Sequence, residues 1–193
     1  MTTKRTLLSV AGTAALIATL MACGGDDGGG NNDGATGWAD SDCAQIVEPV
    51  NTANPPEGSM VQDGVAVSGS IGEAPVVSVE GNASPASSLV TVDVVQGSGP
   101  AVTPGAEVTV QYCGVGLTTR SVFDSSWARG EPISFPLAGV IQGWQEGIPG
   151  MQPGGRRLLI IPADFAYGEN PPTPAILPGE TLIFVVDLLD STS

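Results

Sequence analysis

The stretch VIQGWQEGIPGMQPGGRRLLII, residues 140–161, decides the fold. Val140, Ile141, Trp144 and Ile148 recur at helical spacing, and Pro149 closes the segment. A helix of about two turns is too short to be stable alone, so tertiary packing must hold it. Met151-Gln152-Pro153-Gly154-Gly155 then turns the chain into an apolar strand over 156–161, where Arg156 and Arg157 read as strand-edge charges rather than a binding patch.

Strand signals surround this unit. Residues 89–95 are rich in β-branched side chains and end at Gly97-Ser98-Gly99-Pro100, and Pro104-Gly105 marks a turn. Residues 107–113 alternate, with Val108, Val110 and Tyr112 on one face and Glu107, Thr109 and Gln111 on the other, which predicts a half-buried strand. Residues 121–124 and 133–137 read as further strand pieces, and a Pro-rich loop over 168–179 precedes a last strand over 181–189. The expected architecture is α+β: an antiparallel twisted sheet wrapped around one short helix, over residues 88–193. Upstream, residues 44–87 hold many turn-forming residues and two short strand-like pieces, 65–67 and 76–79. They predict an extension that packs against the domain or runs loosely beside it, not a second domain.

Composition narrows the function. Of nine aromatic residues, eight lie between Tyr112 and Phe184, which places the packed core in the C-terminal half. The chain contains no histidine, which removes Ser-His-Asp and Cys-His catalysis and any His-ligated metal site. No cofactor and no metal are expected. Its formal net charge of −14 would repel a phosphate backbone, so a nucleic-acid partner is excluded.

The N-terminus reads as an address. Lys4 and Arg5 precede an apolar run over 7–21 that is short for a membrane span, which needs about 20 residues. Residues 1–22 are therefore expected to be a signal peptide. Leu20-Met21-Ala22-Cys23 resembles a bacterial lipobox, which implies lipidation at Cys23 and an extracytoplasmic, membrane-anchored protein. An ordinary secretory signal is the alternative. Residues 24–42 (GGDDGGGNNDGATGWADSD) have almost no apolar content and read as a flexible acidic tether, so that 23–43 form anchor and spacer. An oxidising compartment permits a disulfide between Cys43 and Cys113, although Cys113 fits equally as a small buried residue.

Five stretches carry a family resemblance: 110–114 (VQYCG), 122–126 (VFDSS), 140–147 (VIQGWQEG), 162–168 (PADFAYG) and 181–184 (TLIF). In this order and near this spacing they resemble the FKBP-type peptidyl-prolyl isomerases along essentially the whole of residues 89–190. The resemblance implies a shallow apolar pocket for a substrate proline. Trp144 would be its floor, Tyr112, Phe123 and Phe184 its walls, and Val140 and Ile141 its rim. Tyr167 would offer a hydroxyl, and Ile141 its backbone N–H, to substrate carbonyls. Asp124 would hold a carboxylate at the pocket, oriented by Tyr112 and Arg129, and Ile176 would contribute from the flap loop. Asp124, Tyr167 and Tyr112 are the expected catalytic set.

Ile133 would line the pocket too, as a smaller wall where many family members carry an aromatic; the chain also departs from them in a shorter segment over 135–140 and in a His-free loop over 170–174. The partners implied are proline-containing polypeptides, macrolide inhibitors of the rapamycin type and, through its lipid, a membrane; a monomer is expected. The alternative is a non-catalytic binding or chaperone module of the same fold. Residues 88–193 alone are expected to catalyse X–Pro exchange.

Overall fold

The computed structural model describes residues 60–192. The expected signal peptide, Cys23, the expected tether and Cys43 lie outside them. The long alternating strand is β5 (Glu107–Gly116), and β9 (Leu182–Thr192) pairs with it antiparallel along its whole length, from Glu107↔Thr192 to Gly116↔Leu182. On the other side of β9 lies β8 (Arg156–Ile161), and β4 (Val90–Val95) completes that edge. The second edge of β5 is shared. Strand β6 (Val122–Ser125) pairs with its far end and β7 (Ile133–Pro136) with its beginning, giving a six-stranded antiparallel sheet.

Between those two pairings the chain bulges into a one-turn helix, α1 (Ser126–Arg129), which the sequence pattern does not announce. The Ser126 hydroxyl accepts the Tyr112 N–H at 2.7 Å and donates to Gln111 Oε1, so the Tyr112 N–H of this buried edge is satisfied where no strand faces it. The expected helix is α2 (Gln142–Gly147). It begins later than the spacing implies: Ile141 is extended (φ −61°, ψ 151°) and caps it, so Val140 and Ile141 form its approach. Two glycines seat α2 on the sheet. A Cβ at Gly143 would stand 2.4 Å from Ile161 Cγ2, and one at Gly147 2.9 Å from Leu159 Cδ2.

Side chains between α2 and the inner face of the sheet form one core cluster, which includes Val108, Val110, Leu137, Trp144, Ile148, Leu159, Ile161, Leu182 and Val186. The outer face is covered too. Residues 60–79 fold into a second antiparallel sheet, β1 (Met60–Gln62), β2 (Val65–Ser68) and β3 (Val76–Val79), of which β1 was too short to read from sequence. Asp63 and Gly64 turn β1 into β2 at φ +50° and +77°, the twist a two-residue hairpin needs. Val65, Val67, Val77 and Val79, all fully buried, pack with Cys113, Val115, Leu158, Ile160, Ile183 and Val185 into a second cluster. The extension is a packed layer, and β5 is buried on both faces from Val110 to Gly116 rather than half-buried throughout.

Arg156 and Arg157 are not edge charges. Arg156 is fully buried and grips Asp187 through two bonds, Nε to Oδ1 at 2.5 Å and Nη2 to Oδ2 at 2.8 Å. It also donates to the Gly69 and Glu73 carbonyls of the β2–β3 loop, at 3.0 and 2.7 Å. Arg157 pairs with Asp93 and donates to the Gly147 and Pro149 carbonyls, tying the end of α2 to β4. Each guanidinium crosses layers, because a buried charge must find partners wherever the fold brings them. Cys113 is both fully buried and disulfide-bonded, to a cysteine outside the described residues.

Candidate active site

A cavity of about 430 Å³ opens where α2 meets the β5–β6 edge of the sheet. It is lined by Tyr112, Phe123, Asp124, Ile133, Phe135, Gly139, Val140, Ile141, Trp144, Tyr167 and Phe184. Strand β5 supplies Tyr112, β6 supplies Phe123 and Asp124, α2 supplies Trp144, and β9 supplies Phe184. Tyr167 follows the short 3-10 turn Ala163–Phe165.

The rings interlock edge to face. Trp144 meets Tyr112 at 5.5 Å (89°) and Phe184 at 5.2 Å (89°), and Phe123 meets Phe184 at 5.4 Å (87°). T-shaped contacts of this kind add to area burial and fix ring orientation. The close approach needs Gly114, where a Cβ would stand 2.8 Å from Phe123 and 3.0 Å from Phe184. Trp144 Nε1 is buried with no hydrogen-bond partner among the described residues, so packing alone orients the indole.

The polar side of the cavity is one linked group. The Tyr112 hydroxyl donates to Asp124 Oδ2, and Arg129 donates to Asp124 Oδ1 at 2.5 Å and to the Tyr112 oxygen at 2.8 Å. Arg129 also lies over the Tyr112 ring, 5.4 Å from its centre. With Arg129 42% and Asp124 44% exposed, this ion pair contributes little stability; its effect is geometric. Burial, helped by the hydrogen bond to Asp124, pushes the Tyr112 hydroxyl up to about 12, so it stays protonated and donating. Burial and then the charge of Asp124 raise Tyr167 as well. For Arg129, burial favours losing the proton, but its bonds to Tyr112 and Asp124 outweigh that and raise it.

Nine of the side chains assigned from the resemblance therefore line one cavity, and Arg129 stands behind Asp124 and Tyr112. Ile176 does not line it: at 4% exposure it belongs to the core beneath. Two lining residues were missed. Phe135, 5.5 Å from Trp144, alternates with Ser134 as any strand residue would. Gly139 reaches the rim through the 3-10 turn Leu137–Gly139, which no periodicity signals.

An antiparallel sheet folded against a short helix carries at their junction an aromatic cavity with one carboxylate, and no serine, cysteine or histidine among the described residues lines it. The sequence pattern of the family described as FKBP-type peptidyl-prolyl cis-trans isomerase matches residues 99–189. A probable FK506-binding protein of Corynebacterium glutamicum is 52% identical over 104 residues, covering 53% of this chain and 86% of that protein. An FK506-binding protein of Streptomyces anulatus is 48% identical over 120 residues, covering 61% of this chain and 96% of that protein. The crystal structure of FkpA from Escherichia coli superposes with a TM-score of 0.51 at 37% identity, over 68% of this chain and 53% of that one. The chain belongs to the FKBP-type peptidyl-prolyl cis-trans isomerases.

Proposed function

We propose that the cavity turns X–Pro bonds of exported polypeptides, with the prolyl ring seated on Trp144. The observation that carries this reading is the cavity itself: it is lined by the rings of Tyr112, Phe123, Phe135, Trp144, Tyr167 and Phe184 and by the Asp124 carboxylate, which is bonded to Tyr112 and Arg129. Rotation about an X–Pro bond crosses a barrier of about 18–20 kcal/mol. At the twisted geometry the amide has lost resonance and its carbonyl is less polar. An apolar enclosure favours that state over the planar amide. Tyr167 and the Ile141 N–H hold the flanking backbone, so that the prolyl bond alone turns. No nucleophile enters the step.

Rapamycin-type macrolides, large apolar ligands, fit the same cavity as inhibitors. Export is supported by the disulfide of Cys113, since such bonds persist in oxidising compartments. Cys43 is the partner we assign, leaving Cys23 for the lipid that holds the protein at a membrane. The test is cis–trans exchange of an X–Pro peptide, followed with and without macrolide. Exchange faster than the uncatalysed control, abolished by macrolide with a change in tryptophan fluorescence, supports the reading. Exchange no faster than the control at high protein concentration sinks it.

A further inference from the structure

Glu180 stands just before β9, is 4% exposed, and lines no part of the cavity. Its Oε1 accepts the Thr118 and Thr119 N–H groups at 3.1 and 2.8 Å, and its Oε2 accepts the Leu177 N–H at 2.8 Å. The fit around it is tight. A Cβ at Gly116 would lie 2.5 Å from Glu180 Oε1 and 2.1 Å from the Thr119 hydroxyl. A carboxylate can accept several bonds at once, and this one uses them to join the Thr118–Thr119 turn to Leu177, just beyond the point where the Leu117 N–H donates to the Thr181 carbonyl at 3.0 Å.

Both stretches lead straight into the cavity. Thr118 and Thr119 form the turn before β6, which carries Phe123 and Asp124. That strand pairs with β5 at three positions, with a register shift between Gly114 and Val115 that leaves Phe123 without a partner. Its turn is closed by the Arg120 N–H on the Gly116 carbonyl at 2.9 Å and the Gly116 N–H on the Ser121 carbonyl at 3.1 Å. Leu177 lies in the loop that begins after Tyr167, whose neck is closed by the Gly179 N–H on the Gly168 carbonyl at 2.9 Å. Phe123, Asp124 and Tyr167 line the same cavity, with Asp124 close enough that its charge, after burial, raises Tyr167.

We propose that Glu180 is a positioning residue: from behind the cavity, its carboxylate sets the separation of the Phe123–Asp124 wall from the Tyr167 wall and so how tightly a proline-containing chain is gripped. This rests on reading the cavity as the proline site. In Glu180→Gln the amide keeps one oxygen for Thr118 and Thr119 but turns an NH₂ against the Leu177 N–H, so the loop is released while the turn is held. In Glu180→Ala both are released. In Gly116→Ala the carboxylate remains but is pushed aside.

The experiment measures kcat and KM for X–Pro exchange, with the fraction folded from circular dichroism, on the full chain and these three variants. Wild-type exchange at the uncatalysed rate would refute the isomerase reading, and this inference with it. With an active wild type, Glu180→Gln is expected to stay folded and lose kcat/KM on the order of tenfold, carried by KM. Glu180→Ala should lose more, and Gly116→Ala should reproduce the KM effect with Glu180 intact. A folded Glu180→Gln with wild-type KM overturns the proposal. So does a Gln variant whose loss of activity only follows its unfolded fraction, because that is the behaviour of a structural residue.

Discussion

Replacing Arg156 by methionine removes a guanidinium that is fully buried and leaves the Asp187 carboxylate, 2% exposed, with the Gly72 N–H at 3.3 Å as its remaining described donor. Breaking a buried pair from one side costs about 3–5 kcal/mol, because the surviving charge stays desolvated. The Gly69 and Glu73 carbonyls also lose their donor, but their loop can lift and let water in, so we expect about 4 kcal/mol in total. That is a large share of the roughly 5–15 kcal/mol that holds a domain together. The double variant Arg156→Met, Asp187→Leu removes both charges and should return to within about 1–2 kcal/mol of wild type. It should still leave the amides of the β2–β3 hairpin exchanging faster, since Gly69, Glu73 and Gly72 regain nothing. Urea unfolding gives the free energies, and hydrogen exchange reports the hairpin. A single-variant loss below about 1 kcal/mol, or a double variant no better than the single, would refute the claim that this pair is desolvated and pins the extension.

Three further outcomes follow from the packing. Gly143→Ala places a Cβ 2.4 Å from Ile161 Cγ2 and should cost about 1–3 kcal/mol in urea unfolding, with a fall in exchange rate as Trp144 moves with α2. Trp144→Ala empties the floor of the cavity and should cost about 3–5 kcal/mol as well as macrolide binding, read by calorimetric titration. Folding holds the Tyr112 hydroxyl at about 12, above its ordinary value of 10, so the protonated phenol is favoured in the folded state. Its stabilising effect is complete below pH 10 and is lost as pH rises through about 12; melting temperatures over that window should fall less steeply in Tyr112→Phe.

The inner half of the structure was legible because each strand there faces a core on one side. Val108, Val110 and Tyr112 alternate against Glu107 and Thr109, and the structure places that apolar face inward as expected. Legibility stopped where a second layer intervened. Cys113 and Val115 lie on the opposite face, which alternation assigns to solvent, yet both are fully buried by Val65, Val67, Val77 and Val79. An apolar residue on the outer face looks the same in sequence whether water or another sheet covers it. For the same reason residues 88–193 alone, expected to act by themselves, would expose this second cluster and should be less soluble than the chain that keeps the extension. The cavity was legible only through motif resemblance. Ile176 sits in the loop where a wall residue was expected, but its side chain turns into the core, and Phe135 of β7 takes part in the wall instead.

From sequence alone, a short helix between Val140 and Pro149 and the strand over 156–161 could be assigned, because side-chain spacing and turn residues act over a few positions and need no partner to be recognised; the aromatic set at the cavity came from the family resemblance. Tertiary structure alone decided what the charged residues do. Arg156, Arg157 and Glu180 are each buried on partners that lie far away in sequence or belong to another layer. A charge in a strand or turn has no local preference for such partners. It is the desolvation cost of an unpaired buried ion, felt only once the layers close, that selects them.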